Sequence, residues 1–173
     1  MLNIDENNVR KMVEADLELV LSWRNHPDVR KYMYTQHEIA FEEHKNWFKN
    51  AICDDRRHLL IFEQNKNPLG FININQINKG GVAEWGFYLS PDAPKGTGQS
   101  LGKEALNYAF KCIFLHKVCG QSLGFNERSI NFHLKLGFKQ EGTLRQQHFD
   151  GQKYHDIVHF GLLATEWPNN SEI

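Results

Sequence analysis

From residue 58 to residue 89 the chain alternates between short apolar-rich runs and turn-forming clusters. Residues 58–63, 69–77 and 82–89 are separated by NKNP and NKGG. Runs of that kind bounded by Asn, Gly and Pro read as strands, and such short connections predict an antiparallel meander. Ahead of it, Leu17, Val20 and Leu21 repeat at helical spacing, predicting a helix over 16–24 that ends before Pro27. A strand over 9–12 precedes this helix, and a second helix is predicted over 41–52. After the meander, Leu101, Ala105, Tyr108, Ala109 and Cys112 describe the apolar face of a long helix. A strand over 117–123, a short helix over 129–136 and two final strands joined at Asp150-Gly151 complete the order. Asp-Gly between extended runs favours a tight hairpin turn. The whole reads as a mixed α/β protein.

Composition narrows the function classes. With 173 residues, 40% of them hydrophobic and 24% charged, the chain is expected to form one domain over 1–173 with a core that needs neither disulfide nor metal. A formal net charge of -1 lacks the basic footprint of a duplex nucleic-acid binder. The N-terminus has no apolar signal core, and no run approaches the length of a membrane span, so a cytoplasmic protein without membrane partners is expected. Cys53, Cys112 and Cys119 are odd in number and lack CxxC spacing, which points to reduced, mostly structural cysteines. Nine histidines invite a metal reading, but there is no HExxH, and His155 and His159 lack an evident third ligand; no metal is expected.

The chemistry begins at KGTGQSLGKEAL, residues 95–106, where glycines stand directly before a helix. The first N–H groups of a helix lack internal partners, and the macrodipole favours anions there, so the segment suits a pyrophosphate. A flexible loop entering a core helix would look the same. Gly96, Gly98 and Gly102 give GxGxxxG in mid-chain rather than the GxGxxG of a first βαβ turn, and the loop's lysine precedes the glycines, unlike a P-loop. Gly98-Gln99-Ser100-Leu101-Gly102 also matches the GxSxG of a hydrolase elbow. Because residues 90–97, with two prolines, separate it from its strand, Ser100 reads better as a helix-start residue facing a phosphate.

Lys95-x-x-Gly98-x-Ser100 resembles the pyrophosphate loop of the GNAT acetyltransferase superfamily, with lysine and serine as departures from its pattern. Downstream, Asn126, Ser129, His133, Lys135, Gly137-Phe138 and Gly142 resemble that superfamily's second conserved segment. Residues 84–89, EWGFYL, resemble the strand that splays from its neighbour to admit pantetheine. The resemblance implies a central, mostly antiparallel sheet flanked by helices, a splayed strand pair, and acetyl-CoA as cosubstrate. It further implies cofactor contacts from Phe87, Tyr88, Leu89, Lys95, Gly96, Thr97, Gly98, Gln99, Ser100 and Leu101, and from Asn126, Ser129, His133 and Lys135. His133 stands where the superfamily commonly has a tyrosine that protonates the departing thiolate. By resemblance it lies beside the sulfur, where an imidazole N–H can donate; by spacing alone it is a histidine packed against the core.

Acetyl transfer also needs an acceptor pocket and a base. Arg24 continues the apolar stripe of the first helix, and His44 shares a face with Phe41 and Phe48; an internal salt bridge and a half-buried histidine are the bland alternatives. Trp23-Arg24-Asn25-His26-Pro27, Val29-Arg30, Met33-Tyr34 and Glu43-His44-x-x-Trp47-Phe48 resemble a narrower group, the N-acetyltransferases acting on UDP-4-amino-4,6-dideoxy-N-acetyl-β-L-altrosamine in bacterial pseudaminic acid biosynthesis. That resemblance makes Arg24, His44, Asn75, Gln76 and Tyr88 acceptor-site candidates and a nucleotide sugar the small-molecule substrate. Asn73 and Asn75 share the face of their strand opposite Ile72 and Ile74, where a solvated face is the alternative. Asn73 and Glu84 join His133 as catalytic candidates. Glu84 lies on the face of Tyr88 as a direct or water-mediated base, although a carboxylate paired with lysine would look identical. A protein N-terminus, a polyamine or an antibiotic remains an alternative acceptor, as does a module that binds acyl-CoA without turnover. Edge strands leave a homodimer open, with no seam specified.

Overall fold

The computed structural model describes residues 6–168. Its strands are β1 (Asn7–Lys11), β2 (Arg57–Gln64), β3 (Asn67–Gln76), β4 (Val82–Leu89), β5 (Lys117–Leu123), β6 (Lys139–Phe149) and β7 (Tyr154–Leu163). Its helices are α1 (Leu17–Asn25), α2 (Pro27–Arg30), α3 (Phe41–Ile52), α4 (Thr97–Asn107) and α5 (Glu127–Lys135). The strands follow the order β1-β2-β3-β4-β5-β7-β6. Among the described residues, no helix is long and apolar enough to cross a membrane. The chain divides into two compact units, one holding residues through Asn75 with Gly86–Ala105, the other Gln76–Trp85 with the residues from Leu106 onward.

The first unit is organised by period-two alternation. β1, β2 and β3 are antiparallel neighbours, with Val9↔Phe62 and Ile61↔Phe71 in register. Leu59, Ile61 and Phe71 share one face and bury against Leu17, Val20 and Trp23 of α1 and Phe48 and Ala51 of α3. Side chains this fully buried each stabilise by about 1.5–3 kcal/mol. On the other face, a Cβ on Gly70 would overlap Leu101 Cδ1 and stand 3.3 Å from Leu89 Cδ2, so α4 seats itself directly on the β3 backbone. Arg10 fastens β1 to the turn before α1. It donates to both Asp16 oxygens at 2.8 and 2.9 Å and to Glu63 at 2.6 Å. Burial pushes the Asp16 carboxyl up, but Arg10 and the Val13 N–H outweigh it and hold the pKa below the usual range. α1 ends at Asn25, ahead of Pro27 as expected; proline is accommodated in a first turn, so α2 starts on it, with the His26 ring accepting from the Asp28 N–H at 3.2 Å.

The second unit contains the chain's parallel pairing. β4 and β5 run parallel from Val82↔Lys117 to Glu84↔Cys119, although β5 continues to Leu123. β5 and β7 are antiparallel from Lys117↔Leu163 to Leu123↔Ile157, and β6 closes the order beside β7. The Asp150-Gly151 turn is longer than a two-residue hairpin. Phe149 pairs with Tyr154, Gly151 takes φ +97, and Asp150 Oδ1 accepts from the N–H groups of Gln152 and Lys153.

The long helix departs from its expected face. After Asn107 it widens into a π turn over Tyr108–Cys112, closed by the Ile113 N–H donating to the Tyr108 carbonyl at 3.1 Å. Looser winding brings Leu106, Ala109 and Phe110 inward, while Tyr108 is half-buried and Cys112 exposed. The cysteines are free as expected, but Cys53 and Cys112 lie on the surface rather than in the core.

Candidate active site

The head of α4 offers what an anion needs. Thr97 and Gln99 donate their N–H groups to the carbonyls of Pro94 and Gly96, at 3.2 and 3.0 Å. Gly98, between them, supplies a first-turn N–H at the positive end of the helix. Gly96 takes φ +92, a left-handed conformation that suits glycine, and nothing lies within 4 Å of where a Cβ would stand. The Thr97 side chain is only 3% exposed, yet its Oγ1 has no hydrogen-bond partner. A buried hydroxyl left so costs about 1–3 kcal/mol, which a phosphate oxygen offsets. Lys95 is exposed beside it, and Gln99 and Ser100 are half-buried. Leu101 is fully buried beneath Gly70, so its side chain anchors the helix and only its backbone can face a ligand. Ser100 lies inside α4, whereas β4 ends at Leu89, so it does not occupy a strand-to-helix elbow.

A second set of polar atoms gathers in the same unit. Arg24 donates from Nη2 to the Thr35 carbonyl at 2.8 Å, while its buried Nη1 has no partner. Burial pushes the guanidinium pKa down, opposed by the charges of Tyr88 and Glu43. His44 is 4% exposed, its Nε2 likewise unpartnered. Burial lowers its pKa, the Leu17 backbone bond partly restores it, and nearby Arg24 lowers it further. The ring is therefore neutral at pH 7. Burial pushes the Tyr88 phenol up, with Arg24 opposing. Around these groups stands an aromatic wall: His44 stacks on Trp47 at 5.1 Å, Trp47 meets Phe71 at 6.0 Å, and Phe71 meets Tyr88 at 5.1 Å. Asn73 shares the Phe71 face, and its Oδ1 is buried without a partner. Asn75, also half-buried, follows it on that face, whereas Gln76 belongs to the other unit. The sequence reading missed Trp47 and Phe71 as site residues; the three-residue step from His44 to Trp47 was the available signal.

In the second unit, His133 is 1% exposed and both its ring nitrogens are engaged. Nδ1 lies 2.8 Å from the Ser129 carbonyl, which can only accept, so Nδ1 carries the proton. Nε2 accepts from the Trp85 indole N–H at 3.1 Å. Burial pushes the pKa down, the Ser129 bond offsetting it in part. The expected proton donor is thus a neutral imidazole whose one N–H is already committed. Asn126 caps α5, its Oδ1 accepting from the Ser129 N–H at 3.1 Å, and Lys135 is exposed. Glu84 is exposed and accepts from Gln121 Nε2 at 3.4 Å rather than from a lysine. His155 bonds Asp150 at 2.5 Å, and His159 pairs across from Gln121 in the sheet; among the described residues, no group of three or more His, Cys, Asp or Glu could hold a metal.

A parallel strand pair joined by a helix that opens on a glycine-led turn is the arrangement the resemblance to acetyl-CoA-dependent N-acetyltransferases implies. The acetyltransferase (GNAT) domain family matches residues 8–139, and the chain belongs to that family. It is 34% identical over 134 residues to the acetyltransferase PseH of Campylobacter jejuni, covering 76% of this chain and 82% of that one. It is 25% identical over 167 residues to the spermidine N(1)-acetyltransferase of Vibrio cholerae, covering 95% and 96%. A solved structure of Vibrio cholerae spermidine N-acetyltransferase with CoA and spermine shares the fold with a TM-score of 0.87, at 23% identity over 94% of this chain and 98% of that one.

Proposed function

We propose that the acceptor is the 4-amino group of a UDP-linked amino-dideoxy sugar of the kind used in pseudaminic acid biosynthesis. The observation that carries this reading is the half-buried guanidinium of Arg24 in the first unit. Arg24 has a buried, unpartnered Nη1 and, among the described residues, no carboxylate within salt-bridge distance. Around it, Arg30 is paired with Glu38 at 3.7 Å, Lys31 with Asp28 at 2.8 Å and His37 with Glu43 at 3.3 Å. A polycation such as spermidine needs surplus acid; a diphosphate suits a guanidinium whose Nη1 still has N–H groups to donate. The wall of Trp47, Phe71 and Tyr88 suits a pyrimidine or pyranose ring. The higher identity to PseH agrees with this choice.

In the reaction the amine attacks the thioester carbon, the new C–N bond forms, and the C–S bond breaks with its electron pair leaving on sulfur. Backbone N–H groups of Phe87 to Leu89 stabilise the oxyanion. Thr97 Oγ1 and the Gly98 N–H hold the pyrophosphate, with Lys95 and Gln99 beside it. Asn73 and Asn75 orient the acceptor, water takes up the amine proton, and solvent reprotonates the thiolate because His133 has no free proton to give.

The test is a competition: protein, acetyl-CoA, and either the 4-amino UDP-sugar or spermidine, with thiol release and product mass as readouts. Acetylated sugar formed with the larger kcat/KM is expected. Faster turnover of spermidine would overturn the sugar assignment and leave the acetyltransferase itself intact.

A further inference from the structure

The mechanism leaves one buried titratable group without a chemical task, and its surroundings give it another. His133 bridges α5 to β4: its Nδ1–H is tied to Ser129 one turn back, and its Nε2 takes the Trp85 indole proton. Trp85 is the residue directly after Glu84, where the parallel ladder with β5 ends. On the β5 side, Gly120 leaves the space the two rings fill. A Cβ there would stand 2.7 Å from His133 Cδ2 and 2.9 Å from Trp85 Nε1, and closer still to His133 Nε2. The pair is boxed in by aromatic rings. Phe160 stacks on His133 at 4.7 Å and 6°, Phe138 lies 5.1 Å from His133 and 5.2 Å from Trp85, and Phe132 lies 6.3 Å from Trp85. An indole N–H can only donate and a carbonyl can only accept, so this arrangement admits a single tautomer and a single ring orientation.

We infer that His133 is a positioning residue: through its bond to Trp85 it fixes the end of the parallel β4–β5 ladder at Glu84 and Trp85. A ring held by two buried hydrogen bonds and three aromatic neighbours has one geometry, and a strand pinned at Trp85 inherits it. Gly120 is part of the device because any side chain there displaces the rings. The inference rests on the assignment of residues 87–89 to the thioester arm only for its effect on activity.

The closing experiment therefore has a readout that needs no substrate. In the full chain labelled with 15N, the Trp85 indole resonance, assigned by its loss in Trp85→Phe, is expected to exchange slowly with solvent and to move in His133→Phe. The amides at the end of the β4–β5 ladder are expected to shift alike in Trp85→Phe and His133→Phe. His133→Gln, which can accept from the indole, should restore much of the wild-type pattern and keeps the test alive if the phenylalanine variant folds poorly. By titration calorimetry, each phenylalanine variant should bind CoA about tenfold more weakly, with the double variant no worse than either, as coupled residues behave. Unmoved indole and amide resonances in His133→Phe would overturn the inference. So would acetyl transfer lost equally in His133→Gln and His133→Phe while Trp85→Phe turns over normally, since that pattern belongs to a proton donor. Shifted amides with unchanged CoA affinity would uphold the positioning role and count against the thioester strand alone.

Discussion

The two units differ in where their buried polar groups are met. In the first, Arg24 Nη1, His44 Nε2, Asn73 Oδ1 and Thr97 Oγ1 are all buried without partners. In the second, His133 is bonded at both nitrogens and the half-buried Asp150 accepts from His155, while the buried His159 Nε2 has no partner. An unsatisfied buried polar atom is a standing cost to the fold, so four in one unit mark atoms whose partners arrive with ligands. The fully bonded cluster around His133 in the other marks a scaffold that must not move. The difference separates residues whose loss weakens binding from residues whose loss weakens the protein.

The sharpest test of that separation is Arg24→Met, which keeps the stem and removes the fork. It should raise the KM for the nucleotide sugar about 100-fold, the scale of a buried charge-assisted pair, with CoA affinity and melting temperature nearly unchanged. A large fall in melting temperature would make Arg24 structural and break the comparison. Next in size is Gly120→Ala in the second unit. Overpacking against His133 and Trp85 should cost about 1–3 kcal/mol, read as a drop of roughly 2–4 °C in Tm per kcal/mol for a chain of this length. Thr97→Val is smaller and of mixed sign. Removing a buried hydroxyl without a partner should leave stability unchanged or improve it by up to about 1 kcal/mol, while CoA binds several-fold more weakly. Lower stability together with unchanged CoA affinity would mean that the hydroxyl serves the fold.

The smallest effect is a shared pH dependence. Burial holds the pKa values of His44 and His133 below their unfolded values. The unfolded chain therefore binds protons below about pH 6.5 that the folded chain refuses. Stability is full above that pH and falls as pH drops toward the folded pKa values, by up to about 1.4 kcal/mol per pH unit for each ring. Urea unfolding at pH 7.5 and 5.5 should show it, and His133→Gln should flatten the slope. Saturating nucleotide sugar should also flatten it, by stabilising the charged form of His44, whereas nothing comparable reaches His133. Stability that rises on acidification would refute the linkage.

Local periodicity made much of the fold legible. Helix α3 and strands β4 and β5 fall where the apolar pattern puts them, because each has a strong period and breaking residues at its ends. The pattern failed where winding changed. Tyr108 and Cys112 continue an ideal helical stripe, but the π turn carries Phe110 inward instead. Asn126 and Ser129 stood out through a motif, and the structure shows them capping α5 and anchoring His133. Trp85 went unremarked, since an indole among strand residues reads as core and its partner lies far along the chain.

By itself, then, the sequence determined the order of elements, the glycine-led head of α4 and the superfamily, because these depend on residues close together in the chain. Only the tertiary structure decided that His133 is a clamped neutral ring and that Arg24 and His44 keep unpartnered nitrogens. Whether a buried polar atom is satisfied depends on groups brought from distant segments, and no local pattern records their arrival.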